Sequence, residues 1–359
     1  MNILIVHPAF HVYGGAELAI VKLIDYLKTK GHSVDLLTII TIPDVKKELK
    51  ADNIIYANSI NELQQLLNGI YANYDVINYH NHPVEILLQQ PYPSVWYMNE
   101  PPDCVLDGHK LEDKEVSQVY NNITKIAVSD TYNKGRVFSV YGRKDAVVIP
   151  YGVDIDYYEV DTGSRWFFET EGKFTILQAA WMHPRKNQLK SLEVLNNLKD
   201  SISNIKLILC GRVTAPYINE LVKYIEDNHL EKHVILDGTF GDREYLRKLY
   251  HSVDVCIQPV KDQGGWISPL EAVCSGLPVV VSEDAVFSNY FKGNKLAVIT
   301  SNYKDAILDI YNNPDKYKQL NIDAKAYIRN NLTWKSYGEK LESLMKSAKD
   351  ESLSEDSKT

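Results

Sequence analysis

Short apolar runs alternate with stretches of helical periodicity along most of the chain. The runs predict strands at residues 3–6, 34–40, 76–77, 94–97, 126–129, 147–149, 174–179, 205–210, 234–237, 253–258 and 277–281. The first run, residues 3–6, is continuous rather than alternating, which is typical of a parallel strand buried on both faces. Between the first two runs, Ala16, Ile20, Leu23 and Leu27 recur at helical spacing. The pattern predicts an α/β protein made of two Rossmann-like, doubly wound domains.

A charged, glycine-bearing stretch at residues 154–173 interrupts this rhythm and is expected to hold the domain junction and its hinge. We therefore predict one domain over residues 1–158 and a second over residues 159–333. Residues 351–359 are polar and charged, and their composition predicts a disordered tail.

Composition narrows the class of protein. The 359 residues carry a net charge of −8, which argues against a general nucleic-acid binder. The four cysteines, Cys104, Cys210, Cys256 and Cys274, form no CxxC pair, and three lie in apolar stretches, so reduced thiols and a cytoplasmic location are expected. No apolar run approaches the ~20 residues of a membrane span, so any membrane contact is expected to be peripheral.

The stretch with the most chemical content is residues 263–281. Gly264 and Gly265 precede Pro269 at an expected helix start, and Gly276 is expected to end that helix. A glycine loop at a helix N-terminus offers unpaired amides and partial positive charge to an anion. Glu271, expected in the first turn, would then accept bonds from neutral hydroxyls. The combination suits a nucleotide, while a surface loop leading into a packing helix is the alternative.

Other polar or glycine loops follow predicted strands, where open α/β sheets bind ligands. Gly14 and Gly15 open the first helix without a GxGxxG pattern. His80 and His82 share one face of a strand, and a metal site with His7 is an alternative role for them.

Six segments, in order, resemble the retaining nucleotide-sugar glycosyltransferases of the GT-B fold, family 4. The strongest match is Pro269-Leu270-Glu271-Ala272 with Gly276-Leu277-Pro278-Val279-Val280. The weaker matches are Gly14-Gly15-Ala16-Glu17, Asp75-Val76-Ile77-Asn78-Tyr79-His80, Trp96-Tyr97-Met98-Asn99-Glu100-Pro101-Pro102, Pro150-Tyr151-Gly152-Val153-Asp154 and Pro184-Arg185-Lys186-Asn187. The resemblance covers nearly the whole chain.

This resemblance implies two Rossmann-like domains facing a central cleft, with the acceptor on the N-terminal domain and the donor on the C-terminal one. A helix near residues 334–350 would cross back to the first domain. The implied reaction moves a hexose from a nucleotide-diphosphate sugar, of the GDP-mannose or UDP-hexose type, to a hydroxyl of a glycan, lipid-linked or polysaccharide acceptor. It implies retention of configuration and no metal or cofactor, in the cytoplasm or peripherally at the inner face of the membrane.

The resemblance also implies residue roles. Candidate catalytic residues are His80, Arg185, Lys186 and Glu271. Candidate donor-binding residues are Gly14, Gly15, Trp181, Gly238, Thr239, Gln263, Gly264, Gly265, Trp266 and Ile267. Candidate acceptor-side residues are Glu17, Asn99 and Glu100.

Three positions depart from the family pattern. Gln263 replaces the first family glutamate, Gly265-Trp266 replaces a Phe-Gly pair, and Trp181 replaces an arginine. We expect altered sugar selectivity from Gln263. The departures keep open a noncatalytic nucleotide-sugar-binding protein, and the shared architecture keeps open a UDP-sugar 2-epimerase.

Overall fold

A computed structural model describes residues 1–99, 111–162, 170–239, 242–261 and 264–356, with side chains through residue 351. The chain divides into two compact units. The first unit holds Met1–Gly152 and Trp334–Thr359, and the second holds Val153–Thr333. The first unit thus ends at Gly152, a few residues before the boundary that the composition predicts.

The first unit is an α/β layer structure. Its strands are β1 (Asn2–Val6), β2 (Ser33–Thr38), β3 (Asn53–Tyr56), β4 (Val76–His80), β5 (Tyr92–Met98), β6 (Ile123–Val128) and β7 (Val147–Val148). Its first helices are α1 (Gly15–Thr29), α2 (Pro43–Glu48), α3 (Ile60–Ile70), α4 (Asp113–Asn122) and α5 (Thr131–Tyr141). Among the described residues the strands form one parallel sheet in the order β3-β2-β1-β4-β5-β6-β7.

The strands at the centre of this sheet are the ones that the apolar runs predict. Residues 3–6 and 76–80 are fully buried, because helices cover both faces of the sheet. The edge strand β3 was missed, since its residues are only half buried or exposed and leave no continuous apolar run. The Ser59 hydroxyl caps α3 by accepting the Glu62 N–H at 3.2 Å.

The second unit begins with α6 (Ile155–Tyr158) and contains a second parallel sheet. Its strands are β8 (Phe174–Ala179), β9 (Ile205–Cys210), β10 (Val234–Asp237), β11 (Val255–Gln258), β12 (Val279–Val281) and β13 (Val298–Ile299). Its other helices are α7 (Gln188–Leu198), α8 (Ala215–Asp227), α9 (Arg243–Tyr250), α10 (Ile267–Cys274), α11 (Ser288–Gly293), α12 (Tyr303–Asn312) and α13 (Pro314–Asn331). The strand order among the described residues is β10-β9-β8-β11-β12-β13.

Local signals set several helix ends in this unit. The Asp242 carboxylate accepts the N–H groups of Glu244 and Tyr245 and thereby caps α9. Gly276 follows α10 with φ of +90°, which suits a glycine at a helix C-terminus. The edge strand β13 was missed, although it lies within the apolar residues 296–299.

The last helix, α14 (Trp334–Asp356), packs on α1 and β5 of the first unit. It continues into the stretch for which the composition predicts a disordered tail. The Glu342 carboxylate anchors it by accepting bonds from the Tyr26 hydroxyl at 2.7 Å, His32 Nε2 at 3.0 Å and Lys346 Nζ at 2.6 Å. One turn earlier, Gly338 lies directly against the Tyr26 ring.

Replacing Gly338 with alanine is expected to destabilise the first unit by about 1–3 kcal/mol, as overpacking does in a tight core. A Cβ atom there would lie 2.3 Å from Tyr26 Cγ, and the hydroxyl of this ring is held by Glu342. The matched control is Gly135→Ala in the middle of α5, where a Cβ would meet no atom within 4 Å. Urea unfolding of both variants measures the difference, and equal midpoints would contradict the close contact.

Glu342 is expected to make the stability of the first unit depend on pH. Burial opposes ionisation, but hydrogen bonds from Lys346, Tyr26 and His32 prevail and lower the pKa of Glu342 to about 2. Because the pKa of Glu342 is lower in the folded than in the unfolded state, the ionised carboxylate stabilises the folded state at pH values above about 4.5. This stabilisation is lost as the pH falls towards 2. Glu342→Gln should therefore cost about 1–3 kcal/mol at pH 7 and progressively less below pH 4.5.

The control for this series is Glu339→Gln on the same helix. Glu339 is half exposed, and its distance to Lys335 is 3.8 Å, so its loss should change stability little. The free energy of unfolding is measured in urea between pH 3.5 and 7. A Glu342→Gln deficit that stays constant over that range would contradict the assignment.

Candidate functional site

Both sheets reverse their chain order at one point, which is where open α/β sheets bind ligands. In the first sheet the reversal lies between β1 and β4, and in the second between β8 and β11. The loops after these four strands hold most of the candidate residues. The strand order therefore brings together, within each unit, residues that are far apart in sequence.

In the second unit, Lys186 meets the glycine loop. Its Nζ donates to the Gly264 carbonyl at 2.9 Å, and a Cβ on Gly265 would lie 3.4 Å from that nitrogen. Gln178 at the end of β8 fixes the lysine backbone by donating Nε2–H to the Lys186 carbonyl at 2.6 Å. The amino group is thus held at the loop that precedes α10.

The helix after this loop starts earlier than predicted. It begins at Ile267, with Trp266 at its N-cap, so that Pro269 lies inside the first turn rather than at its start. Glu271 is consequently one turn into the helix, and its predicted place in the first turn was wrong. Pro269 remains compatible with the helix because the amides of a first turn need no partner within the helix.

Glu271 is buried, with 6% of its surface exposed. The Tyr158 hydroxyl donates to Oε1 at 2.6 Å, and the Tyr250 hydroxyl lies 3.1 Å from Oε2. Burial raises the pKa of Glu271, although hydrogen bonds from both tyrosines and the charge of Arg243 act in the opposite direction. Sequence reasoning missed both tyrosines, since neither belongs to a recognisable motif.

Trp266 turns its ring away from the loop. The ring is 2% exposed and packs against Phe287, Tyr290 and Phe291, with centroid distances of 5.8, 4.9 and 5.4 Å. The Trp266 side chain therefore anchors the start of α10 by packing. Only the backbone of Trp266 adjoins the glycine loop. Ile267, the next residue, is half buried.

Trp181 and Arg185 lie in the loop after β8. Trp181 is 42% exposed, with the His183 ring centroid at 4.7 Å and the Arg212 guanidinium 5.8 Å from its own centroid. The Arg185 carbonyl accepts the Lys261 N–H at 3.3 Å, which joins this loop to the chain just after β11. Trp181 is thus an exposed aromatic surface flanked by a cation.

The loop after β10 holds Gly238 and Thr239. The Thr239 N–H donates to Asp237 Oδ1 at 2.9 Å, and this bond fixes the turn. Two predicted site residues, Gln263 and Glu100, lie outside the described residues.

In the first unit, Gly14 is the N-cap of α1 and Gly15 is the first residue of that helix. The Glu17 carboxylate accepts the Gly14 N–H at 3.0 Å, and Glu17 is 7% exposed. The structure thus shows this predicted acceptor-side residue in a helix cap, with His7 Nε2 3.8 Å from Glu17 Oε1.

His80 ends β4 with its ring fully buried and stacked on Tyr97 at 5.6 Å. Asn78 Nδ2 donates to the Val95 carbonyl, so Asn78 Oδ1 is an acceptor and His80 Nε2 must carry the proton in their 2.8 Å bond. Burial, then the nearby His7, lower the pKa of His80 to about 3. The His80 imidazole is therefore neutral at physiological pH. The backbone carbonyl of His80 accepts a hydrogen bond from His7 Nδ1 at 3.3 Å.

Asn99 directly follows β5, and its side chain accepts a hydrogen bond from the Tyr151 hydroxyl and donates one to Asn81 Oδ1. His82 bonds Glu85 at 2.8 Å rather than His80. Within the described part of the chain, no three His, Cys, Asp or Glu side chains are grouped to hold a metal.

Among the described residues, no helix is long and apolar enough to span a membrane.

Comparisons with known proteins agree with this architecture. Residues 164–327 match the family described as Glycosyl transferases group 1. The chain is 28% identical, over 54% of its length, to the O-antigen chain mannosyltransferase RfbU of Salmonella typhimurium, of which the match spans 55%. The aligned part is thus about half of that relative.

Two solved structures share the fold over 97% of this chain. Anabaena HepE in complex with UDP-glucose is 15% identical, with a TM-score of 0.83 and all of that chain covered. A glycosyltransferase from Rickettsia africae is 17% identical, with a TM-score of 0.79 and 98% of that chain covered. The chain has the GT-B fold, as its sequence predicts. The part of the chain that is similar to the glycosyl transferases group 1 family is residues 164–327.

Proposed function

We propose that this protein is a retaining, metal-independent glycosyltransferase. It would move a hexose from a nucleotide-diphosphate sugar, of the GDP-mannose or UDP-hexose type, to a hydroxyl of a glycan or lipid-linked acceptor. The observation that carries the proposal is Lys186 Nζ at the Gly264-Gly265 loop, between strands where the sheet order reverses. The mannosyltransferase relative and the UDP-glucose complex of the structural neighbour support the choice of donor.

The positive charge at this loop suits a departing diphosphate. Breaking the glycosidic bond to a nucleoside diphosphate builds negative charge on the β-phosphate. Lys186, with Arg185 in the same turn, and the amides before α10 would stabilise that charge. Because fixed cations and amides can do this work, the proposed reaction needs no metal.

Glu271 would take the ribose hydroxyls. An ionised carboxylate has about four acceptor positions, and the two tyrosines use two of them. The carboxylate lies one helical turn beyond the amides, a separation that suits ribose and diphosphate of one nucleotide.

In the first unit, the residue to which we assign a role in the reaction is His80, whose imidazole is neutral. Its Nε2–H donates a hydrogen bond to Asn78 Oδ1. Its Nδ1 is a fully buried acceptor with no hydrogen-bond partner among the described residues. We propose that His80 contacts the transferred sugar through its backbone, and that retention arises from departure and attack on one face of the sugar.

Nucleotide binding should raise the unfolding midpoint. At 100 times Kd, a ligand stabilises the native state by about 2.7 kcal/mol, or roughly 5–10 °C for a unit of this size. Thermal-shift measurements with UDP, GDP, ADP and their sugars should show such a rise for one base. No shift with any of them would contradict the proposal, whereas binding without release of UDP or GDP would favour a noncatalytic protein.

Lys186→Ala should lower kcat/KM for donor hydrolysis by about ten- to thousand-fold, as the loss of one charge-stabilising donor does. The matched control is Lys190→Ala on the following helix, since Lys190 Nζ pairs with Glu193 at 2.8 Å near the surface. Release of UDP or GDP is measured with and without EDTA, and NMR of the first sugar product tests retention. An unchanged Lys186→Ala rate would refute the role of this lysine, and loss of activity with EDTA would refute metal independence.

A further inference from the structure

The segment that opens the second unit, residues 153–158, supplies a hydroxyl to Glu271. Tyr158, the last residue of α6, donates to Oε1 at 2.6 Å. The phenol is itself buried, with 1% of Tyr158 exposed, so the bond is shielded from water. A charge-assisted hydrogen bond in such surroundings is short and directional.

Tyr158 is held in place through its backbone as well as its ring. His251 Nε2 donates to the Tyr158 carbonyl at 2.8 Å, and the Tyr158 ring meets Tyr250 edge-on at 6.0 Å. Next to it, the Tyr157 ring lies under Arg247 at 4.4 Å. The hydroxyl of Tyr158 is therefore aimed by contacts that do not depend on Glu271.

Arg243 completes the cluster around this carboxylate. It pairs with Asp154 at 2.5 Å, and its guanidinium lies 5.1 Å from the Tyr157 ring centroid and 5.9 Å from that of Tyr158. The residue thus joins α9 to the start of the second unit, and its charge favours the ionised form of Glu271.

Tyr250 holds the second oxygen. Its hydroxyl has one proton and lies 3.1 Å from both Glu271 Oε2 and Ser268 Oγ. The Ser268 hydroxyl donates to the Ala179 carbonyl at the end of β8, at 2.8 Å. Ser268 Oγ and Glu271 Oε2 are thus both acceptors for Tyr250, and its hydroxyl donates to the ionised carboxylate because a charged acceptor forms the stronger hydrogen bond.

We propose that Tyr158 and Tyr250 are positioning residues that hold the Glu271 carboxylate in the orientation that receives the 2′- and 3′-hydroxyls of a nucleoside diphosphate. This inference rests on the proposed function and deepens it. Tyr158 occupies one acceptor position on Oε1 and Tyr250 occupies one on Oε2, so the one position that remains on each oxygen points in a fixed direction. Two vicinal hydroxyls match such a pair.

The test compares ligands that differ only in the ribose. Isothermal titration measures binding of UDP and 2′,3′-dideoxy-UDP, and of GDP and 2′,3′-dideoxy-GDP, to the wild type and to Tyr158→Phe and Tyr250→Phe. Each variant should weaken binding of the preferred nucleoside diphosphate about tenfold, the effect of one hydrogen bond to a charged group. For the dideoxy analogue the variants and the wild type should agree within about twofold, the usual residual between uncoupled sites.

The control is Tyr157→Phe, since the ring of Tyr157, rather than its hydroxyl, lies against Arg243 and Arg247. It should bind both ligands like the wild type. Urea unfolding of each variant shows whether it is folded, and either of the two positioning variants suffices for the comparison.

The outcomes separate the two proposals. If the wild type binds UDP or GDP but a variant loses equal affinity for the ribose and dideoxy forms, the positioning role is overturned and the proposed function stands. The same holds if the wild type does not distinguish the two forms. If the wild type binds neither UDP nor GDP, both proposals fail.

Discussion

Burial of both faces of each parallel sheet is the constraint on which the structure depends. Helices cover the sheets, so the strands carry little besides apolar side chains, and polar groups collect where the strands end. Parallel strands end at the same edge, and reversal of the strand order opens a gap between the loops there. In the second unit the loops on either side of that gap carry Lys186 and Gly264, and in the first they follow His7 and His80.

Much of the fold could be predicted because burial of the strands requires apolar residues at consecutive positions of the sequence. A strand covered on both faces is mostly apolar, as residues 3–6 and 255–257 are. A strand with less to bury leaves a weaker trace, and β3 has exposed residues at both ends. The helix caps at Ser59 and Asp242 can be predicted for a different reason: each side chain bonds a backbone N–H only three residues further along the chain.

The site was less predictable because its contacts join distant residues. Lys186 and Gly264 are 78 positions apart, and Tyr158 and Glu271 are 113 apart. No local pattern distinguishes Tyr158 among the 24 tyrosines of the chain. The direction of the Trp266 ring depends on Phe287, Tyr290 and Phe291, which follow it on a different helix. Motifs located the loops, whereas tertiary packing decided which side chains face them.

The surroundings of Glu271 separate a structural role from a ligand-binding one. Residues 269–274 of α10 are buried, and an apolar side chain at position 271 would pack there without removing a charge from water. Replacing a buried charge cluster by apolar residues is often neutral or stabilising by about 1–4 kcal/mol. Two tyrosine hydroxyls and Arg243 instead offset the cost of keeping a carboxylate at this position. Stability of the helix alone gives no reason for that arrangement, whereas the proposed role of Glu271 in binding ribose hydroxyls does.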